Sequence, residues 1–227
     1  MESWAGDLAR RVGGAIGIAA EGVMLAAVVL GLGAVAIASG WQLTGWILIL
    51  CGLALAAFFR DPERIPASAS ERQVFSGADG RVTDVVEMPL PEGAAGERYH
   101  RVSVFMSPLN VHVNRAPVSG EILSVRHTPG AFHAAFRDHA SEQNERNLIV
   151  LSDARGRQHA LVQIAGYFAR RIVCRLHPHD IVRCGERIGL IMFGSRVDHF
   201  VPPDYRVVVK LGERVRAGES IIAELLQ

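Results

Sequence analysis

Four short segments of the sequence carry side chains that could perform chemistry. In residues 191–198, an apolar run leads into the pair Gly194-Ser195 and then into charged residues. Gly194 has no Cβ, so its carbonyl is open to approach and its backbone tolerates strained geometry. The Ser195 hydroxyl could therefore attack the preceding carbonyl. No Gly-x-Ser-x-Gly elbow surrounds this serine, which argues against a hydrolase nucleophile.

The second and third segments hold candidates for proton transfer. Residues 107–117 have a proline near each end. They place His112 between two asparagines and close to Arg115. A histidine with hydrogen-bonding neighbours can act as an acid or a base near neutral pH. Asp79 directly precedes Gly80, a position where aspartate is often selected for turn geometry alone. Both residues are therefore candidates that also have an ordinary structural explanation.

The fourth segment could bind a metal. Cys174, His177, His179 and Cys184 have a spacing that could surround a zinc ion with sulfur and nitrogen ligands. Paired Cys-x-x-Cys knuckles are absent, so the alternative is two buried cysteines beside an exposed, histidine-rich turn. Lys210 is the only lysine in the chain, which leaves one candidate for chemistry at an enzyme amine.

The elements that must position these residues begin with an apolar segment. Residues 22–59 contain no charged residue and no histidine, a run far longer than the about 20 residues that cross a bilayer as a helix. The polar and flexible residues 39–42 interrupt it. This pattern predicts a transmembrane hairpin within a membrane anchor of residues 1–59, with helices at about 22–38 and 43–59. Arginines flank only the outer ends, so both termini are expected in the cytoplasm.

Residues 60–227 are predicted to form a mainly β soluble domain with a barrel-like or sandwich-like fold. Residues 79–85 resemble 119–125, and residues 182–188 resemble 210–215, as in the repeated units of lipoyl and biotinyl carrier domains. The one helical candidate is 131–137. Strands are predicted in segments rich in Val and Ile that are bounded by Gly and Pro, at 82–86, 101–105, 121–125, 148–151, 160–164, 171–174, 188–193, 206–210 and 220–225.

The composition excludes several classes of protein. Hydrophobic residues make up 49% of the chain and charged residues 21%, which excludes a disordered chain. The formal net charge of +1 gives no general attraction to nucleic acid. Three cysteines are too few and too scattered for a disulfide framework.

Several blocks of the sequence together resemble the phosphatidylserine decarboxylase family, in its short, prokaryotic branch. The similarity is collinear from about Glu21 to the C-terminus. It is carried by residues 58–64, 79–80, 107–120, 129–132, 144–147, 164–166, 169–174 and 185–198.

This resemblance implies a pyruvoyl-dependent enzyme that is made as a self-cleaving zymogen. It would convert phosphatidylserine to phosphatidylethanolamine through a Schiff base between the substrate and a covalent pyruvoyl group derived from Ser195. Cleavage after Gly194 would give a β chain, 1–194, and an α chain, 195–227, which would stay bound as strands of the same sheet. Arginines near the site are expected to pair with the carboxylate or phosphate of the lipid.

The resemblance also implies roles for single residues. Asp79 matches the family's triad aspartate, and His112 matches a histidine that takes part in protonation during turnover. The longer family branch has a second histidine as self-cleavage base at the position of Arg115. His112 and His199 are the two candidates for that base in this chain.

The implied setting is the cell (inner) membrane, with the catalytic domain on the cytoplasmic side. The implied partners are the phosphatidylserine lipid, the membrane and the two chains of one precursor, with a homo-oligomer as a further option and no nucleic acid. The main alternative is a membrane-tethered lipoyl-like or biotinyl-like carrier or binding module modified at Lys210, which is disfavoured because Lys210 is expected within a strand rather than on a tight turn. A metal-dependent enzyme at Cys174–Cys184 is the third hypothesis, whereas the family chemistry uses no metal.

Overall fold

The computed structural model describes residues 12–64, 66, 70–91, 98–130, 144–166, 171–192 and 195–226. The chain divides into two compact units, residues 1–63 and 64–227. Gly194 and the predicted helix at 131–137 lie outside the described residues.

The first unit contains two apolar helices, α1 (Ala20–Ala38) and α2 (Gln42–Phe58). Their bounds lie within two residues of the predicted spans, so the two helices and the break between them are confirmed. Gly40, in the connecting turn, has a φ of 89°, a conformation that glycine adopts without strain. By length and composition, α1 could cross a membrane, and α2 is a shorter apolar helix.

Small residues bring the two helices together. A Cβ on Gly33 of α1 would lie 3.0 Å from the Gly45 carbonyl oxygen of α2, and a Cβ on Gly52 would lie 2.6 Å from Leu30 Cγ. Several larger apolar side chains point away from this contact; Leu50, for example, is 66% exposed. Glycines at the contact together with exposed large apolar side chains are typical of helix pairs in lipid.

The second unit is a mainly β domain. One antiparallel, curled half-barrel sheet has the order β13-β2-β3-β11-β7-β6-β5-β9, and two three-stranded sheets have the orders β1-β14-β12 and β4-β10-β8. The strands in the described residues are β1 (Gln73–Phe75), β2 (Gly80–Pro89), β3 (Arg98–Met106), β4 (Val113–Arg115), β5 (Gly120–Thr128), β6 (Arg146–Asp153), β7 (Gln158–Ile164), β8 (Ile172–Cys174), β9 (Ile181–Val182), β10 (Arg187–Ile191), β11 (Ser195–Val201), β12 (Tyr205–Val207), β13 (Arg214–Val215) and β14 (Ile221–Leu225).

The predicted internal repeat is visible in the structure. β2 and β5 begin at Gly80 and Gly120, where a Cβ would lie 2.1 Å and 2.0 Å from a backbone oxygen of the neighbouring strand. Both strands have a register shift at the same position, after Val82 and after Ile122. The turns 183–186 and 210–213 also match, because each has a glycine with a φ near 80° in third place and a glutamate that accepts a 2.9 Å hydrogen bond from the first backbone N–H.

Two expectations about the C-terminal segment were wrong. The strand predicted over 206–210 ends at Val207, because residues 210–213 form a turn in which Glu213 N donates to Lys210 O at 3.1 Å. Lys210 is therefore exposed beside a tight turn, and its supposed place in a strand no longer argues against a carrier. The strands of 195–227 also do not share one sheet, since β11 and β13 join the large sheet and β12 and β14 pair with each other and β1.

Strand β11 lies in the middle of the large sheet, between β3 and β7. Its Val197 belongs to the main hydrophobic core with Val104, while its Phe200 belongs to a second apolar cluster with Leu148. All seven residues of β11 are buried. The strand that begins at Ser195 is thus covered on both faces.

Candidate active site

Ser195 is the first residue of β11 and is fully buried. Its Cα pairs with that of Met106 on β3, and its Oγ donates to Met106 Sδ at 3.5 Å. A thioether is a weak hydrogen-bond acceptor. Within the described residues, the hydroxyl is thus held beside a group that neither binds it strongly nor can act as a base.

A row of buried amides continues from the same sulfur atom. Asn114 Nδ2 lies 3.7 Å from Met106 Sδ, Gln163 Nε2 donates to Asn114 Oδ1 at 2.9 Å, and Asn147 Nδ2 donates to Gln163 Oε1 at 3.0 Å. We call Ser195, Met106, Asn114, Gln163 and Asn147 the neutral cluster. Sequence analysis did not assign a role to the three amides. The available signal was the position of Gln163 and Asn147 inside otherwise apolar strands.

His112 immediately precedes β4 and is 2% exposed. Its Nδ1 lies 3.0 Å from the Asn110 carbonyl, which can only accept, so Nδ1 carries a proton and Nε2 is the basic nitrogen of the neutral ring. The His112 carbonyl accepts from Ile191 N at 3.2 Å. This bond ties the histidine segment to β10, the strand that leads towards Ser195.

Asp79 lies at the start of β2 in a different environment. The Arg64 guanidinium binds both carboxylate oxygens, with Nη1 at Oδ1 and Nη2 2.9 Å from Oδ2. Ala217 N donates to Oδ1 at 2.8 Å, and Arg64 Nη1 donates to Ala217 O at 3.0 Å. We call Arg64, Asp79 and Ala217 the charged cluster, in which the guanidinium, the carboxylate and the backbone groups of Ala217 bind one another.

Arg115, in place of the longer branch's histidine, lies beside the charged cluster. It is 2% exposed, and its Nη1 donates to Gly185 O at 2.8 Å. A Cβ on Gly218, the residue after Ala217, would lie 3.1 Å from Arg115 Cδ. Because arginine stays protonated in proteins, Arg115 cannot accept the proton of the Ser195 hydroxyl.

His199 lies on the same strand as Ser195, four residues further on, or about 13 Å away at the usual rise of a strand. Its Nδ1 donates to Val102 O at 3.1 Å, and its Nε2 accepts from Gly77 N at 2.7 Å. Desolvation in the core lowers the pKa of His199 to about 4. Both ring nitrogens are therefore engaged, and a role for His199 as a base stays a prediction.

The four residues of the possible zinc site do not converge on one point. His177 and His179 are each 84% exposed, and their Nδ1 atoms face Asp180 at 3.7 Å and Glu121 at 2.9 Å. Burial raises the pKa of the Cys184 thiol to about 11, which disfavours the thiolate that a metal needs. Among the residues that the structure describes, no three His, Cys, Asp or Glu side chains are grouped for a metal ion.

Comparison with known proteins gives consistent matches. A family model described as phosphatidylserine decarboxylase matches residues 52–223. A phosphatidylserine decarboxylase proenzyme of Ruegeria pomeroyi is 45% identical over 82% of this chain and 85% of its own length. The proenzyme of Desulfotalea psychrophila is 40% identical over 92% of this chain and 97% of its own length. The proenzyme of Oleidesulfovibrio alaskensis is 46% identical over 83% of this chain and 84% of its own length.

Proposed function

The chain belongs to the phosphatidylserine decarboxylase family and is a self-processing, pyruvoyl-dependent decarboxylase of phosphatidylserine, and we propose that its scission falls between Gly194 and Ser195. The observation that supports this position is the complete burial of Ser195 at the first residue of a central strand. A new chain end formed there would be held on both sides by β3 and β7.

The scission uses atoms of the chain and one water. Ser195 Oγ forms a bond to the preceding carbonyl carbon, the C–N bond breaks, and the nitrogen takes up a proton, which leaves an ester. Loss of the Ser195 Cα proton then breaks the Cβ–Oγ bond and leaves a carboxylate on residue 194 and a dehydroalanine at 195. The dehydroalanine tautomerises, adds water and releases ammonia, and the product is a keto group at the start of the α chain.

The surroundings of Ser195 fit a keto group at the start of the α chain. The site is closed to bulk solvent and combines an apolar thioether with amide donors, so it can hold a small, uncharged carbonyl. The pyruvoyl group supplies a ketone that condenses with the substrate amine and withdraws the electron pair left by departing CO2.

We assign His112 to proton transfer, because its Nδ1 is fixed by Asn110 O and its Nε2 is the basic nitrogen. His199 would first have to release the Gly77 N–H, so His112 is also the preferred base for self-cleavage. Asp79 acts as a positioning residue, because its carboxylate binds Arg64 and the Ala217 N–H within the segment that becomes the α chain.

The two apolar helices are proposed to span the membrane as a hairpin. The support is the uncharged segment 22–59, the outward-facing apolar side chains and the glycine contacts between α1 and α2. The arginines at the outer ends of the hairpin favour cytoplasmic termini, and thus a cytoplasmic catalytic domain in the cell membrane. A substrate that is itself a membrane lipid gives such an anchor a direct use.

The test compares the full-length wild-type protein with Ser195→Ala in lipid nanodiscs. Intact mass should show two pieces for the wild type, the smaller one beginning with a keto group at position 195, and one uncut, inactive chain for Ser195→Ala. Ser103→Ala is the matched control, since Ser103 is equally buried on the adjacent strand β3, and it should be cut normally. A Ser195→Ala protein that is cut or forms phosphatidylethanolamine would refute the assignment, and an uncut chain modified at Lys210 would favour a carrier.

A further inference from the structure

The amides of the neutral cluster form a chain with one direction. Each contact pairs a nitrogen with an oxygen, from Asn147 to Gln163 and from Gln163 to Asn114. A 180° flip of a single side-chain amide would place two oxygens or two nitrogens against each other. Flipping all three amides would place the Asn114 oxygen against the Met106 sulfur, with no hydrogen between them. The chain therefore ends with the amide nitrogen of Asn114 directed at Met106.

The end of this chain lacks a strong acceptor. Asn114 is completely buried, and among the described residues its two N–H groups meet only the thioether at 3.7 Å. Leaving a buried donor without a good partner costs on the order of 1–3 kcal/mol. Ser195 Oγ contacts the same sulfur atom at 3.5 Å. The under-used donor and the attacking hydroxyl thus contact the same atom, Met106 Sδ, so both belong to one buried cluster.

We propose that Asn114 donates hydrogen bonds to the oxyanion that forms during self-cleavage, and that Gln163 and Asn147 are the positioning residues that aim it. This proposal rests on scission at Ser195. When Oγ bonds to the preceding carbonyl carbon, the π electrons of the carbonyl move onto its oxygen, and an N–H of Asn114 stabilises that negative charge. As the C–N bond breaks, the electrons return to the carbonyl, and the amide of Asn114 is unchanged.

The assignment adds oxyanion stabilisation to the proton transfer that we assign to His112, in a chain that has Arg115 at the position of the longer branch's base. A preorganised donor in a dry site stabilises the oxyanion without being displaced by water. The direction of the amide chain supplies that preorganisation, since Asn114 cannot turn over without losing its bond to Gln163.

The test measures the rate of scission after cell-free synthesis of the full-length chain into nanodiscs. Asn114→Asp keeps the size of the side chain and removes both N–H donors, so we expect scission to slow by about 10²–10³-fold. Gln163→Glu touches no reacting atom but cannot donate to Asn114 Oδ1, so it should slow scission by a smaller factor. Hydroxylamine, which cleaves the ester, should not accelerate Asn114→Asp, because ester formation is then the slow step.

Asn144→Asp is the matched control. Asn144 is as buried as Asn114, but its Nδ2 donates to a strong acceptor, Ala165 O at 2.7 Å, so its donor is already used and this variant should be cut much faster than Asn114→Asp. Thermal unfolding of every variant is measured in the Ser195→Ala background, where all are single chains. The proposal is overturned if Asn114→Asp is cut normally, if Gln163→Glu has no effect, or if Asn144→Asp is slowed as much as Asn114→Asp. Cleavage of Ser195→Ala would instead refute the position of the scission.

Discussion

The two neighbouring residues Asn114 and Arg115 on β4 lead into two different buried polar environments. Asn114 joins the neutral cluster, and Arg115 lies beside the charged cluster at the turn that contains Ala217. Both side chains are at least 98% buried, so burial does not distinguish the two environments. They differ in how well their hydrogen-bonding groups are satisfied.

In the charged cluster, each group has a strong partner. Asp79 binds a guanidinium and a backbone N–H, and Arg64 also binds the Ala217 carbonyl. In the neutral cluster, the Ser195 hydroxyl and the amide nitrogen of Asn114 meet only a sulfur atom within the described residues. Satisfied polar groups hold the fold together, whereas under-satisfied groups next to a reacting atom can form new bonds during a reaction. The comparison therefore supports the proposed chemistry at Asn114 and a stabilising role for the charged cluster beside Arg115.

The largest expected effect beyond Ser195 itself belongs to His112. Replacing it by alanine removes the group that we propose donates and accepts the proton during turnover, so we expect kcat to fall by about 10²–10⁴-fold. Because His112 is also the preferred base for scission, the rate of phosphatidylethanolamine formation is divided by the fraction of cleaved chain, which intact mass gives. His127→Ala is the control, since the His127 side chain is 52% exposed and pairs with Glu145. An unchanged kcat for His112→Ala would remove this residue from the site.

Asp79→Ala tests the charged cluster. It leaves the buried Arg64 charge with only the more exposed Glu219 carboxylate, 3.6 Å from its Nε, so the free energy of unfolding should fall by up to about 3–5 kcal/mol. Thermal unfolding in the Ser195→Ala background measures the loss. The double variant Arg64→Met/Asp79→Leu should recover part of it, because it leaves no unpaired charge. If Asp79→Ala stops scission while stability is unchanged, Asp79 belongs with the reacting groups and the contrast between the two clusters fails.

The pH dependence of stability tests His199, whose two ring nitrogens both have hydrogen-bond partners, as do the groups of the charged cluster. Its pKa of about 4 lies below the ordinary value of 6.5, so the unfolded chain binds the proton more readily than the folded one. The stabilisation is present above pH 6.5 and is lost as the pH falls towards 4, by up to roughly 3 kcal/mol. Unfolding of the Ser195→Ala protein between pH 4 and 7 should show this slope, and His199→Gln should flatten it. A slope that persists in His199→Gln would have another source.

The smallest expected effect is that of Lys210→Arg. Lys210 is exposed, and its backbone N–H rather than its amine bonds to Glu213 Oε2 at 2.9 Å. Scission, decarboxylation and intact mass of the small piece should all match those of the wild type, apart from the substitution itself. A loss of activity would show that the exposed turn contributes to function.

Much of the fold could be predicted because it follows local patterns. The uncharged run with a polar break predicted both helices, and alternating Val and Ile between turns predicted strands such as β6 and β7. The strand β11 was missed. Its Arg196 and Asp198 look like a solvated segment in the sequence, but in the structure they form a buried ion pair at 2.9 Å.

The candidate site was predictable only in part, for a related reason. Ser195, His112 and Asp79 stand in recognisable local motifs, so single residues were identified. The amide chain joins β4, β6 and β7, whose residues are far apart in the sequence, and no local pattern indicates that they meet. The same holds for Arg64 and Asp79, whose pairing depends on the turn near Ala217.

With the proposed scission after Gly194, the distribution of residues 195–227 over two sheets bears on how the mature protein is made. Each of the strands β11 to β14 hydrogen-bonds to a strand of the longer piece or to a neighbour that does. While the backbone is continuous, these pairings are intramolecular and independent of protein concentration. Once it is cut, denaturation releases two molecules that must meet again, so renaturation becomes a second-order process. The uncut precursor is therefore the form that assembles efficiently, and the mature enzyme is kept intact by the interlocking of its pieces.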